Sequence, residues 1–155
     1  VPTDRRATIM LVASTGGHLA QLVNLRECWA GHRRHWVTFR KPDAEAAVGT
    51  DEVTWAHHPV TRNIPNALRN LLLAVRTMRR LRPDVIVSTG AGVALPFFVV
   101  ARFLRVRTVY LEAFERIDRP ALTGVLCYAL TDRFCLQWEE QRDTYPEGIH
   151  VGAAW

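Results

Sequence analysis

Apolar residues along this chain gather in short, β-branched runs separated by longer stretches of helical periodicity. That alternation specifies a parallel sheet covered by helices on both faces. The runs predict strands over residues 8–13, 35–39, 53–55, 84–88, 108–111 and 133–136. The helical pattern predicts helices over 17–30, 64–81, 93–104 and 121–129, with a shorter one over 138–144. Proline marks two boundaries: Arg82-Pro83 closes the long helix, and Asp118-Arg119-Pro120 opens a later one with proline in its first turn. Loops are expected near 41–50, 57–63 and 113–119. The expected fold is therefore α/β, a Rossmann-like doubly wound parallel sheet in one domain over residues 7–155, behind a flexible polar segment over residues 1–6.

Composition narrows the class. The chain has 155 residues of which 48% are apolar, enough for one core and too few for two. Basic residues number 20 against 15 acidic, formally +5, and Lys41 is the single lysine. Arginine forks suit phosphate, on nucleic acid, on lipid head groups or on a diphosphate ligand. The three cysteines, Cys28, Cys127 and Cys135, are odd in number, sit in apolar contexts and form no CxxC pair, which points to a reducing cytosol and away from a metal site. His57-His58-Pro59 does not change this, because adjacent histidines rarely face one ion. The polar first residues carry no secretion signal. The longest uncharged apolar stretch, 91–101, contains Pro96 and falls short of the ~20 residues that cross a bilayer. No spanning helix is expected; lying on a membrane stays open.

Ligands of open parallel sheets bind at the carboxyl ends of the strands, so what each strand delivers there matters. The first delivers Ser14-Thr15-Gly16-Gly17-His18 and the fourth Ser88-Thr89-Gly90-Ala91-Gly92. Both read either as plain strand-to-helix turns or as anion cradles, in which glycine lets the backbone approach and the first helical N–H groups point at a phosphate. A histidine at position 18 can donate to a phosphate oxygen, with Gln21 one turn further on. The fifth strand ends in Glu112, either an exposed loop carboxylate or a group that binds sugar hydroxyls or takes a proton. Glu115, Arg116 and Arg119 are expected to be solvated. Trp138 and Trp155 suit a core or an interface equally.

The long helix places Leu68, Leu71, Leu72, Val75 and Met78 at helical spacing among Arg69, Arg76, Arg79, Arg80 and Arg82. Its expected role is to pack these apolar positions on the core behind a solvated basic face. A sharper reading rests it on anionic lipid through Arg69, Arg76, Arg79 and Arg80, with Phe97, Phe98, Phe103 and Leu104 extending the surface.

The ordered set Ser14-Thr-Gly-Gly-His18-Leu-Ala-Gln-Leu, Val85-Ile-Val-Ser-Thr-Gly-Ala-Gly-Val-Ala-Leu-Pro96, Tyr110-Leu-Glu112 and Thr131-Asp-Arg-Phe resembles the family of asparagine-linked glycosylation protein 14 and its PssD-type polysaccharide-biosynthesis relatives. More distantly it is similar to the N-terminal half of MurG-type glycosyltransferases. The resemblance runs from Ala7 onward. It implies the acceptor-side half of a GT-B glycosyltransferase, working with a small donor-binding subunit that holds the UDP-sugar, at the cytoplasmic membrane face, on a polyprenyl-diphosphate-linked saccharide. No cofactor is implied on this chain itself. Carried over motif by motif, Ser14, Thr15, Gly16, Gly17 and His18 would meet the acceptor diphosphate, and Ser88, Thr89, Gly90 and Gly92 would line the same site. His18 is the first candidate base and Glu112 the second. Eukaryotic members carry an N-terminal membrane span that these residues lack, which shifts expected membrane contact to the arginine-rich helix. The chain starts with Val, which leaves open whether a segment precedes it, and it ends about where a one-chain enzyme would cross into its second half.

Two other classes compete. A self-sufficient nucleotide-binding Rossmann domain wants G-x-G-x-x-G after the first strand and an acid after the second; here stand Thr-Gly-Gly-His and Arg40-Lys41, a pair only NADP would tolerate. A nucleic-acid-binding module rests on charge alone, without a recognition motif or an aromatic-basic stripe, so no nucleic-acid partner is expected.

Overall fold

The computed structural model describes residues 6–154; the segment over residues 1–5, expected to be flexible, and Trp155 lie outside the described residues. Seven strands form one parallel sheet: β1 (Thr8–Ala13), β2 (Arg33–Thr38), β3 (Glu52–Trp55), β4 (Val85–Gly90), β5 (Arg107–Leu111), β6 (Arg133–Leu136) and β7 (Ile149–His150). Their order is β3-β2-β1-β4-β5-β6-β7, so the winding direction reverses between β1 and β4, where a doubly wound sheet opens a ligand crevice. Among the described residues five α-helices make the connections from β1 to β6: α1 (Gly17–Asn24), α2 (Pro42–Val48), α3 (Ile64–Leu81), α4 (Ala94–Leu104) and α5 (Leu122–Tyr128).

Side chains alternate across each strand. In β1, Ile9, Leu11 and Ala13 pack with Leu19, Leu22, Trp29 and Trp36 under α1 and α2. Met10 and Val12 point the other way, toward Phe97, Phe98, Met78 and Tyr110 under α3, α4 and α5. Apolar residues on both sides of one strand are what a sheet covered on two faces requires.

The departures from the sequence-based expectation have physical causes. Residues 41–50, expected as a loop, contain α2: Pro42 occupies the first helical position, Asp43 and Glu45 the first turn, and Gly49 the end at φ +55, while Ala44 and Val48 are buried. These are complete start and stop signals on a helix too short to show periodicity. The first helix stops at Asn24, and a 3-10 turn over Arg26–Trp29 then carries Trp29 into the core. Residues 138–144 likewise form a 3-10 turn, Glu139–Asp143, and β7, two residues long, was not foreseen. Pro120 precedes the start of α5, whose flanking residue is Ala121.

A further departure concerns α3. Met78 is buried, but Leu68 and Leu72 are 58% and 60% exposed, and the positions turned inward include Asn66, Asn70 and Thr77. The polar side chains have partners. Asn70 accepts from the His57 N–H at 2.8 Å and donates to its carbonyl at 2.9 Å, and Asn66 donates to the Pro59 carbonyl at 2.9 Å. α3 thus uses amides to hold the 57–63 loop, and Leu68 and Leu72 share the outer surface with Arg69, Arg76, Arg79 and Arg80, while Leu71, Leu73 and Val75 pack against the core.

At the β2 end, Asp51 accepts two hydrogen bonds from Arg34, at 2.7 and 2.9 Å, and one from the Trp36 indole at 3.0 Å. The Arg34 bonds hold its carboxyl below the ordinary value of 3.8 against the opposing effect of burial. A depressed carboxylate stabilises the fold above its unfolded pKa, and that stabilisation is lost as pH falls through the folded value. Asp51→Asn is expected to cost about 1–2 kcal/mol at neutral pH, partial exposure screening the pair. The gap to wild type should close in urea melts below pH ~4.

Candidate functional site at the carboxyl edge of the sheet

The two glycine turns are fastened to each other. His18 Nδ1 donates to the Thr89 carbonyl at 2.7 Å, and Thr89 Oγ1 donates to the His18 carbonyl at 2.6 Å. A carbonyl only accepts, so Nδ1 carries a proton, and in the neutral form of the ring the lone pair is on Nε2. Close approach makes this fit possible. A Cβ on Gly90, at φ +109, would stand 2.7 Å from the Tyr110 hydroxyl and 3.4 Å from His18 Cε1.

In front of the turns lies a cavity of about 700 Å³. Ser14, Thr15, His18 and Gly92 of the predicted set reach it, as does Glu112; Phe39, Lys41, His58, Thr61, Tyr110, Arg116 and Thr123 complete much of its wall. The remaining predicted residues stand behind or beside it. Gly16 and Gly17 are not on the wall, and the Gly16 N–H donates to the Asp43 carboxylate at 2.9 Å. Ser88 accepts from the Gly90 N–H at 3.0 Å, and Thr89 is spent on His18. The turns therefore act more as a lock than as an open row of N–H donors. Another cavity, of about 780 Å³, lies at the far ends of α3 and α4, lined by Arg79, Arg82, Arg105 and Arg107. It is at the amino edge of the sheet and gathers no glycine turn, and the strand-order reversal favours the carboxyl edge. Among the described residues no cluster of three His, Cys, Asp or Glu is placed to hold a metal, and no helix is long and apolar enough to cross a membrane.

Glu112 is not the solvated loop carboxylate of one sequence reading: it is 1% exposed. Its Oε1 accepts from the Ala113 N–H at 2.9 Å. Its Oε2 faces the Tyr145 hydroxyl beside Gly124, and neither atom has a well-aligned partner among the described residues. Burial pushes the Glu112 carboxyl above its ordinary value, against the lowering effects of Tyr145, the Ala113 N–H and the charges of Arg116 and His18. Burial also raises the Tyr145 phenol.

The support for Glu112 comes from two glutamines just past β6, Gln137 and Gln141. Both are 1% exposed. Gln137 donates to the Glu112 carbonyl at 2.8 Å and to Gln21 on α1 at 3.2 Å, and accepts from the Ala154 N–H at 2.9 Å. Gln141 accepts from the N–H groups of Gln137 and Trp138 and donates to the carbonyls of Ala113 and Arg116. Trp138 adds an indole bond to the Phe114 carbonyl at 2.9 Å. Arg116, expected to be solvated, is exposed but stands on the cavity wall. The available signal was an uncharged polar pair just past a strand end, a place where buried amides serve backbone.

Residues 54–154 match the family described as Oligosaccharide biosynthesis protein Alg14 like. The chain belongs to the Alg14 family. Relatives include the UDP-N-acetylglucosamine transferase subunit ALG14 of Rattus norvegicus, 24% identical over 93% of this chain and 81% of its own length, and that of Homo sapiens, 22% identical over 94% and 82%. Among solved structures, MurG of Acinetobacter baumannii superposes with a TM-score of 0.76 at 18% identity, over 95% of this chain but 44% of its own. A UDP-N-acetylglucosamine 2-epimerase from Rickettsia bellii gives 0.75 at 12%, over 97% and 46%. The fold is thus the Rossmann-like GT-B half expected from the sequence, and the chain spans less than half the length of those structures. The matched Alg14 segment takes in the second glycine turn, Glu112 and both glutamines; the His18 turn precedes it.

Two outcomes test this account. Gly124→Ala would put a methyl group 2.5 Å from Glu112 Oε2 and 2.7 Å from the Tyr145 hydroxyl, whereas Gly31→Ala meets nothing within 4 Å. The first is expected to cost about 1–3 kcal/mol in urea unfolding, far more than the second. The raised Glu112 pKa means that its contribution is fully present below the unfolded value near 4.5 and is lost as pH rises through the folded one. Glu112→Gln should accordingly gain stability relative to wild type as pH rises above that value, measured by melts from pH ~4 to ~9.

Proposed function

We propose that this chain is the acceptor-binding, membrane-peripheral subunit of a two-component glycosyltransferase, acting at the cytoplasmic membrane face. A small partner subunit would bind the UDP-sugar, and a hexose or N-acetylhexosamine, N-acetylglucosamine first among them, would pass to a polyprenyl-diphosphate-linked saccharide. One contrast carries the reading: the chain spans 81% of a relative named as a transferase subunit but 44% of the one-chain MurG structure. The residues matched correspond to one wall of the two-walled cleft of that one-chain fold.

The chemistry follows from the cavity. His18 Nε2, left with the lone pair by the Thr89 bond, takes the proton of the acceptor hydroxyl as that oxygen attacks the anomeric carbon and UDP departs toward the partner. Ser14, Thr15 and Gly92, on the wall beside it, hydrogen-bond the acceptor's diphosphate. Glu112 is too enclosed and too reluctant to ionise to serve as a freely exchanging base; its carboxyl shapes the sugar-proximal wall instead. For membrane contact, the exposed Leu68 and Leu72 and the arginines of α3 provide an interfacial surface, with Phe103, 82% exposed, at the end of α4.

The deciding measurement is transfer from UDP-sugars to a polyprenyl-diphosphate saccharide by the chain alone, the partner alone and the mixture. Activity is expected only in the mixture, and His18→Ala should lower kcat there by about 10²–10⁴. Equal activity from this chain alone, or full activity of the variant, overturns the reading.

A further inference from the structure

The charge on the cavity wall does not come from where the glycine motifs suggest. The Gly16 N–H is taken by Asp43 and the Gly90 N–H by Ser88. His18, if it is to accept a proton, must be neutral and so cannot also be the counter-charge of a diphosphate. The permanent cations on the wall are Lys41 and Arg116, and only Arg116 is held by a dedicated scaffold.

We propose that Arg116 is a diphosphate-binding residue of this cavity, its guanidinium gripping the phosphates of the acceptor; this rests on the acceptor-side reading above. The Arg116 N–H donates to the Ala113 carbonyl at 3.0 Å, and its own carbonyl accepts from Gln141 Nε2 at 3.1 Å. Between them, the Phe114 carbonyl is held by the Trp138 indole, whose ring lies 4.9 Å from that of Phe114. A buried amide and an indole thus fix the carbonyls of Ala113, Phe114 and Arg116 in a surface loop that delivers one cationic side chain to the cavity. A merely solvated arginine requires no such framework.

Among the described residues Arg116 makes no ion pair. The nearby Glu112 carboxyl is turned inward, onto the Ala113 N–H and toward Tyr145, so it does not neutralise the fork. A planar guanidinium matches two phosphate oxygens at once, and its charge is independent of pH in the working range. Diphosphate is accordingly bound by a fixed cation, which leaves the histidine free to exchange its proton.

The test uses inorganic diphosphate as probe, titrated calorimetrically into the isolated chain, with Arg116→Ala, Arg116→Lys and, as a neutral variant of closer size, Arg116→Gln. Wild type should bind, both neutral variants should lose about 10- to 100-fold in affinity, and the lysine variant should recover part of it. Arg119→Ala, on the same loop but off the wall, should stay within about twofold. In the reconstituted mixture, Arg116→Gln should raise KM for the lipid acceptor while leaving KM for the UDP-sugar unchanged, a split that general loss of structure would not produce. Wild-type affinity in both neutral variants, or no diphosphate binding by wild type, overturns the proposal. If the mixture transfers sugar and Arg116→Gln keeps a normal acceptor KM, the Arg116 assignment falls and the transferase reading stands. If the mixture is inactive while Arg116→Gln abolishes diphosphate binding, the transferase reading falls and the anion site stands.

Discussion

Everything at the carboxyl edge depends on the reciprocal bonds between His18 and Thr89, residues 71 positions apart that the strand order makes neighbours. Each residue gives one group and receives one, so neither turn can shift without breaking both bonds. The lock needs β1 beside β4, it needs Gly90 to leave room for the imidazole edge, and it chooses the histidine tautomer. Topology, backbone conformation and proton placement are thus consequences of one contact. A loop histidine without it would sample both tautomers and several rotamers.

A second support runs through the buried amides. Buried glutamine is costly unless its donors and acceptors are used, and Gln137 and Gln141 use theirs on α1, on the Glu112 loop and on residue 154. The result is a polar joint in which α1, the end of β5 and the segment after β7 move together. α3 repeats the device with Asn66 and Asn70, which hold the loop that brings His58 and Thr61 to the cavity. The cavity wall is therefore built from loops that are irregular in dihedral angle but fixed by side-chain hydrogen bonds, which is how a binding surface keeps its shape without regular structure.

Sequence reading recovered the sheet and its central strands because those runs are apolar on both faces and bounded by turn residues. It located both glycine turns, and it singled out His18 and Glu112, because each follows a strand directly. It did not recover α2, whose seven residues are too few for periodicity to speak, although Pro42 and Gly49 marked both its ends. It turned α3 the wrong way for Leu68 and Leu72, since hydrophobic spacing takes leucine for the buried face and cannot see that Asn66 and Asn70 have loop carbonyls to satisfy. Arg116 was read as solvated for a similar reason: its significance comes from Gln141 and Trp138, more than twenty residues away in sequence and brought near only by the pairing of β5 with β6. Long-range polar contacts leave no local signature, and most of the missed site consists of them.

The inverted face of α3 bears on how the proposed acceptor would reach the site. α3 begins three residues after Thr61, which lines the cavity, and runs toward the amino edge of the sheet. At 1.5 Å per residue, Leu68 stands about 18 Å nearer the cavity end than Arg80. The exposed Ile64, Leu68 and Leu72 thus lie in the half of α3 nearer the cavity, with Arg69 among them, and Arg76, Arg79 and Arg80 lie in the far half. On the membrane contact proposed above, this helix would rest on an anionic bilayer with its apolar half drawn toward the hydrocarbon and its far arginines at the phosphates, which would bring the rim of the cavity closest to the lipid. On the reading proposed above, a polyprenyl tail could stay in the bilayer while its diphosphate rises only as far as the wall that carries Arg116 and His18. The same leucines packed inward, as spacing alone predicts, would leave a uniformly basic face that attracts a membrane without orienting the cavity toward it.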